Sequence, residues 1–368
     1  MKKLFIFLVA VLLMELTAQA MLAQPDGVTA TVESIPKYTY DSETGALSLN
    51  WGEFNKDNKW GDDVVAANVK SVTATSEVSF TSDCSYLFDN FRKCTSMDLS
   101  NVTTSEMTNC SYMFRSCWSL TSLDVSGFNT EGVTNMSCMF SGCSGLTSLD
   151  LSGWNTAYVT DMSAMFQACT GLTSLNVSGL NTANVTRMHR MFCFCSGLTS
   201  LDLSGWNTSS VTDMSYMFSD CSALTSLVVS GWNTASVTNM NYMFQTCSNL
   251  ATIYAGAGWN TEKVTSSSIM FEDCTKLKGG MGTTYDADHI DKEYARIDGG
   301  PDNPGYFTEK PAFVPGDVNG DGDVNVIDIT ALIDEIMNDG TNPRADVNED
   351  GEINVIDITA LIDIIMNS

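Results

Sequence analysis

The chain has 368 residues, of which 44 are Asp or Glu and 18 are Lys or Arg, giving a formal charge of −26. That length exceeds what one ordinary hydrophobic core fills, and the acidity argues against nucleic acid as a partner, because phosphate binding needs a basic stripe. The acid is also uneven: residues 311–368 hold thirteen Asp or Glu against the single Arg344, so oxygen-rich chemistry is expected there.

Residues 1–20 read as an export signal. Lys2 and Lys3 precede an apolar run over 4–14, and the small-residue site Ala18-Gln19-Ala20 follows. Cleavage is expected after Ala20 or Ala23. No cysteine stands near that site to take a lipid, and no later apolar run reaches the roughly 18 residues of a transmembrane segment. The expected localisation is therefore extracytoplasmic, secreted or at the cell surface. Residues 24–83 carry no readable motif and are expected to form an N-terminal cap region with some β-structure.

Twelve cysteines in an exported chain would ordinarily suggest a disulfide framework. Here Cys117, Cys143, Cys169, Cys195, Cys221 and Cys247 recur every 26 residues, and Cys274 follows after 27. A strict period marks one structural slot repeated. Residues 143–167 read CSGLTSLDLSGWNTAYVTDMSAMFQ and residues 195–219 read CSGLTSLDLSGWNTSSVTDMSYMFS, which is the self-similarity of a solenoid. The pattern runs back to Cys84 and gives eight Met/Leu-Phe pairs, from Leu87-Phe88 to Met270-Phe271. In the first of them Phe91 takes the cysteine slot and Cys94 a leucine slot, as befits a terminal repeat.

Leu146, Leu149 and Leu151 stand in LxxLxL order, the strand signature of leucine-rich repeats, with apolar residues facing inward and the others outward. Gly153 then permits a turn. Val159, Met162, Met165, Phe166 and Cys169 follow at steps of three, three, one and three, which predicts a short helix capped by Thr160 or Asp161. The fold class expected is thus an α/β solenoid, a short strand plus a short helix per coil, with its strands stacked in a parallel sheet.

The wording LTSLDLSGWNTxxVTDMSxMFxxC resembles the BspA-like family of bacterial surface leucine-rich repeats over roughly residues 84–307. The resemblance implies a secreted or cell-surface protein engaged in adhesion to host or bacterial surface proteins. The stretch at 294–307 looks like the cap that ends such arrays.

Each coil presents Thr147, Ser148 and Asp150 or their equivalents outward. The Asp slot recurs as Asp98, Asp124, Asp150, Asn176 and Asp202 before becoming Val228. Such a face serves either as plain solvated surface or as a platform for a protein or glycan ligand, in which case Asp124, Asp150 and Asp202 are the candidate contacts. Phe128, Trp154, Leu180, Trp206, Trp232 and Trp259 form a second ladder. Leu180 shows that aromaticity is dispensable there, so the ladder is expected to roof the core. The cysteines are expected to be buried thiols acting as small hydrophobes, with Cys84 and Cys110 the best candidates for any bridge.

The C-terminal segment contains DVNGDGDVNVIDITALIDEIMN from Asp317 and DVNEDGEINVIDITALIDIIMN from Asp346, offset by 29 residues. An EF-hand-type loop needs oxygen donors at positions one, three, five, seven, nine and twelve and a glycine at six. The first loop supplies Asp317, Asn319, Asp321, the carbonyl of Asp323, Asn325 and Asp328 around Gly322. The second supplies Asp346, Asn348, Asp350, the carbonyl of Glu352, Asn354 and Asp357 around Gly351. Two Ca2+ ions are therefore expected, and folding of this module should depend on them.

Position twelve is Asp where EF-hands use Glu, and Pro311, Pro315 and Gly316 leave no helix before the first loop. That pattern resembles type I dockerins, which bind cohesin modules on scaffold proteins. The resemblance implies that Val326, Ile327, Val355 and Ile356, with residues around Thr330, Leu332, Ile333, Thr359, Leu361 and Ile362, form partner-contacting or core faces of a small all-α domain. Because the two copies are almost identical, the module is expected to have approximate two-fold symmetry.

The boundaries expected are a signal peptide over 1–20, an N-terminal cap region over 24–83, repeats over 84–280, their C-terminal cap over 281–310, a linker over 311–315 and a dockerin-like domain over 316–368. Only His189 and His289 are present, outside any nucleophile or metal pattern, and the repeat acids form a uniform ladder without an isolated carboxylate pair. No enzymatic activity is expected. The function expected is a non-enzymatic adhesion or binding protein whose repeats recognise a ligand and whose tail docks to a cohesin-type partner. The alternative is a non-catalytic or accessory component of a polysaccharide-degrading complex.

Overall fold

The computed structural model describes residues 36–310, 316–319, 324–338, 340, 342–348 and 352–367. The expected export signal and the 311–315 linker lie outside them. Alternation of one buried leucine with exposed Ser and Asp makes each LxxLxL motif a short strand, and the strand recurs once per coil. β1 (Tyr38–Asp41) pairs antiparallel with β2 (Ala46–Leu49), and β2 is followed in parallel by β4 (Ser71–Ala74), β6 (Ser96–Asp98) and β8 (Ser122–Leu123). β9 (Ser148–Asp150) pairs with β10 (Ser174–Asn176). β11 (Ser200–Asp202), β12 (Ser226–Val229), β13 (Thr252–Ala255) and β14 (Phe307–Glu309) complete the face, all in parallel. A second parallel ladder begins with β3 (Gly52–Phe54), β5 (Val78–Asp83) and β7 (Thr103–Asn109). It continues through single bridges from Asn109 to Asn135, Asp161, Arg187, Asp213, Asn239 and Ser266.

The solenoid stands as expected, but the segment expected as a short helix in each coil does not become one. Among the described residues the two α-helices are both beyond residue 325. Residues such as Tyr112 and Ser116 hold positive φ, and the same two slots repeat at Cys138, Ala164 and Ala168, Arg190 and Phe194, Tyr216 and Asp220, and Tyr242 and Thr246. These left-handed residues break the helix every fourth position and turn the N–H groups along the stacking axis. Tyr112, Phe114 and Ser116 donate to the carbonyls of Ser137, Met139 and Ser141 in the next coil. Consecutive turns keep Met162, Met165, Phe166 and Cys169 buried, so the apolar stripe that reads as helical is satisfied by a different backbone. Asp161 is correspondingly no helix cap; its Oδ1 accepts from Ser163 N at 2.9 Å, closing a turn.

One core runs without interruption from Leu47 to Phe307. Its spine is the stack Phe88, Phe114, Phe140, Phe166, Phe192, Phe218, Phe244 and Phe271, whose rings lie 5.4 to 5.9 Å apart and nearly parallel. Trp154, Trp206 and Trp232 are buried, and each indole N–H donates to the carbonyl of Val125, Val177 or Leu203. That ladder closes the core, as the Leu180 substitution indicates. All twelve cysteines are free thiols, Cys84 and Cys110 included, and all except the half-buried Cys138 are buried.

A separate core holds Val318, Leu332, Ala345, Val347 and Leu361. It joins α1 (Val326–Met337) to α2 (Val355–Asn367).

Candidate functional site

Each helix of the C-terminal module begins on an asparagine. Asn325 has extended backbone, and its side chain accepts from Ile327 N at 2.8 Å. Asp328 answers with Oδ2 on Asn325 N at 2.9 Å, while its Oδ1 reaches back to Asn319 N at 3.0 Å. The second half repeats this. Asn354 accepts from Ile356 N at 2.8 Å, and Asp357 Oδ2 accepts from Asn354 N at 2.8 Å. Asp357 Oδ1 accepts from Val347 N at 2.8 Å and Asn348 N at 3.2 Å. The carboxylate at position twelve thus ties the start of each loop to its end and caps the helix that leaves it.

Asp317, Asp328 and Asp357 are wholly buried, yet Arg344 is the one Lys or Arg between residues 311 and 368. Burying a carboxylate is costly unless charge is compensated, and backbone N–H groups supply hydrogen bonds without a full positive charge. The one guanidinium pairs with Asp317, so the buried carboxylates of Asp328 and Asp357, held by backbone N–H groups, fit a hard cation with oxygen ligands. Asp317, Asn319, Asp321, the Asp323 carbonyl, Asn325 and Asp328 would hold one ion, and Asp346, Asn348, Asp350, the Glu352 carbonyl, Asn354 and Asp357 another. Asp321, Asp323 and Asp350, with Gly322 and Gly351, lie outside the described residues; among the described ones no group of three metal-ligating side chains gathers. A bound cation would supply the missing positive charge and fix the loops.

The residues expected to form a partner-contacting or core face divide in two. Leu332 and Leu361 are core, whereas Thr330, Ile333, Thr359 and Ile362 are exposed. Val326 and Ile327 are 68% and 58% exposed, and Val355 and Ile356 are 67% and 58% exposed. Met337 and Met366 extend these two apolar rows at the far end of each helix and are more exposed still. Sequence reasoning missed both methionines, although they occupy the same slot in the two near-copies. It missed Arg344 as well, whose Nη1 lies 2.8 Å from Asp317 Oδ2; its standing as the lone cation was the available signal.

On the repeats, Asp124, Asp150 and Asp202 point outward and are exposed, as expected of the strand face. Asp98, Asp124 and Asp150 line one shallow depression of about 520 Å³, and Asn176 and Asp202 line another of about 490 Å³. Each of the three aspartates also closes its own turn, because its Oδ1 accepts the backbone N–H two residues on, from Ser126, Ser152 or Ser204. Hydrogen bonds from the Ser126 hydroxyl and amide hold the Asp124 carboxyl below the usual carboxylate range, and the Ser152 amide and hydroxyl do the same for Asp150. Asp202 has a salt bridge to Lys310 at 3.8 Å. Turn closure is thus reason enough for acid in this slot.

Residues 82–201 and 193–295 match the family described as "Mycoplasma protein of unknown function, DUF285", together more than half of the chain. Residues 315–366 match the "Dockerin type I domain". No curated protein matches the sequence. Among solved structures, a leucine-rich repeat protein from Bacteroides ovatus is similar at 16% identity and a TM-score of 0.34, over 68% of this chain and 82% of that one. One from Eubacterium ventriosum is similar at 15% and 0.27, over 64% and 92%, and the T. pallidum leucine-rich repeat protein at 16% and 0.24, over 65% and 86%. Dockerin type I domains bind calcium, and the domain implies a cohesin partner. A dockerin type I domain indicates a role in protein interaction, and dockerins are typically non-catalytic. Among the described residues no helix is long and apolar enough to cross a membrane.

Proposed function

As a member of the family described as Mycoplasma protein of unknown function, DUF285, with a dockerin type I domain at its C-terminal end, the chain is one that we propose to be a non-enzymatic adhesion or recognition protein outside the cytoplasm. The repeats present the ligand surface, with Asp124, Asp150 and Asp202 among its contacts and a host or bacterial surface protein or glycan as its ligand. Of the expected cap regions 24–83 and 281–310, the first lies outside the described residues up to residue 35; residues 37–83 and 281–310 cap the array. Residues 316–368 bind two calcium ions through the two loops and fix the protein to a cohesin-type scaffold through Val326, Ile327, Val355 and Ile356.

The observation that carries this reading is the pairing of two exposed apolar rows with two helix starts built on buried carboxylates. Exposed valine, isoleucine and methionine at matching positions are costly in water and suit a partner that covers them. The buried aspartates give that surface its calcium dependence, since neutralising a loop adds to the stability of the helix start that its carboxylate already ties to backbone N–H groups.

The full chain, titrated against an immobilised type I cohesin in calcium and again in EDTA, tests the reading. Retention in calcium, loss in EDTA and at least about a hundredfold weakening in the I327A/I356A chain are expected, as hot-spot truncation typically gives. Calcium-independent retention, or none in either buffer, would remove the docking assignment.

A further inference from the structure

The strand face of the array is not one sheet. β8 ends the first sheet, β9 and β10 stand as a pair, and β11 begins a third sheet that runs to β14. Inside the later two, neighbouring coils are tied on both sides of the strand. Thr173 N donates to Thr147 O and Leu151 N to Asn176 O, both at 2.9 Å; Thr225 N donates to Thr199 O and Leu203 N to Val228 O, both at 2.8 Å. Among the described residues no equivalent bond runs from Thr147 to Thr121 or from Val125 to Asp150, nor from Thr199 to Thr173 or from Val177 to Asp202.

Other features fall at the same two boundaries. A Cβ on Gly153 or Gly205, which follow β9 and β11, would meet nothing within 4 Å, whereas one on Gly179 or Gly231 would stand 1.9 Å from a carbonyl of the preceding coil. Both shallow depressions of the face lie there, one lined by Leu123 and Leu149 and the other by Leu175 and Leu201. Leu175 and Leu123 are the least buried of the strand leucines, while Leu227, inside the third sheet, is wholly buried.

The back of the coil runs on across both boundaries. Asn135 bridges to Asp161, and Arg187 to Asp213. Thr160 N donates to Thr134 O at 2.9 Å and Thr212 N to Thr186 O at 3.1 Å. The hydroxyls of the buried Thr130 and Thr182 donate to Asn155 O at 3.0 Å and Asn207 O at 2.9 Å. Coils joined behind and unjoined in front part or meet by rotation about the joined edge.

We propose that the array is articulated: the β8/β9 and β10/β11 boundaries are joints at which the strand face opens and closes, pivoting on the continuous ladder behind, while β9–β10 and β11–β14 move as blocks. Closing a joint makes the backbone hydrogen bonds and covers the leucines; opening it gives both to water. Segments with few buried contacts and solvent-exposed backbone groups are where a fold opens first. The curvature of the strand face is then adjustable at two places, whatever that face binds.

Disulfide trapping in the full chain, with C138S removing the half-buried native thiol, tests this. S148C/S174C and S200C/S226C lie inside the blocks and should oxidise fully. S122C/S148C and S174C/S200C span the joints and should reach the same end point at least about tenfold more slowly, because each waits for the joint to bring its Cα atoms within disulfide range. Joint pairs that never close mean a rigid gap, and joint pairs that close as fast as the block pairs mean no gap; either overturns the proposal. Hydrogen exchange on the unmodified chain decides the matter if a variant misfolds. The amides of Val125, Thr147, Val177 and Thr199 should exchange at least about tenfold faster than those of Leu151, Thr173, Leu203 and Thr225, and uniform protection would likewise overturn it.

Discussion

The Cys143 thiol donates to the carbonyl oxygen of Phe114 in the preceding coil, with Sγ 3.2 Å from the acceptor. The same bond joins Cys117 to Phe88, Cys169 to Phe140, Cys195 to Phe166, Cys221 to Phe192, Cys247 to Phe218 and Cys274 to Phe244. The 26-residue cysteine period thus reflects a donor small and apolar enough for the core, aimed at a carbonyl beside the phenylalanine stack. Cys169→Ala removes the donor and leaves a small void, and should cost about 1–2 kcal/mol in urea unfolding. Ellman's reagent should find the buried thiols slow in the native chain and all twelve reactive after denaturation without reductant; a titre near zero would mean bridges in place of the thiol ladder.

The same burial sets a pH dependence. Desolvation pushes the thiols of Cys84, Cys94, Cys169 and Cys274 up to about 12 and that of Cys193 to about 11. An unfolded cysteine ionises near 8.5. A folded value above the unfolded one means that the neutral thiol favours the fold, so this contribution is complete below about pH 8.5 and is lost as pH rises towards 12. Urea midpoints at several pH values should be level from about pH 6 to 8 and fall between 9 and 12, with a shallower fall in Cys169→Ala. A midpoint that holds to pH 11 would contradict the burial of the ladder.

Glycines that look equivalent in the repeat are not equivalent in the coils. A Cβ on Gly179 would stand 1.9 Å from Ser152 O and one on Gly231 1.9 Å from Ser204 O, whereas Gly205 and Gly153 have nothing within 4 Å. The crowded glycines follow β10 and β12, each hydrogen-bonded to the strand before it; the open ones follow β11 and β9, which have no such pairing on that side. Gly179→Ala should therefore destabilise the solenoid by about 2–3 kcal/mol, and Gly205→Ala should be neutral or stabilising by up to about 1 kcal/mol. Equal urea midpoints for the two variants would show that the coils pair uniformly.

The repeat made the solenoid legible because one slot per coil must be filled alike: Leu149, Phe166 and Cys169 each stack on their own copies. What the period could not reveal is backbone handedness. Met162, Met165 and Phe166 satisfy a helical stripe and a run of turns equally well, and Tyr112 or Arg190 at positive φ carries no compositional mark of the kind glycine gives. In the C-terminal module, glycine at position six and oxygen donors at fixed spacing exposed the loops directly. Arg344 escaped notice because its partner Asp317 lies 27 residues away in sequence, and pairing at that distance is set by the docking of the two halves.

Asp357 offers the sharpest separation of capping from charge in that module. Its two oxygens accept from Val347, Asn348 and Asn354 N–H groups, so both faces of the carboxylate are committed to backbone donors. Asp357→Asn keeps the shape but sets an NH2 against at least one of those donors, which costs more than the loss of one bond because both groups stay buried. A loss of about 2–3 kcal/mol in the module's stability is expected, and it should appear even in EDTA. Asn354→Ala removes one cap acceptor at the exposed start of α2 and should cost about 1 kcal/mol. Thermal unfolding followed at 222 nm in EDTA separates the two variants. If Asp357→Asn unfolds with the wild type when calcium is absent, the carboxylate acts through the ion alone and the backbone bonds around it contribute nothing measurable.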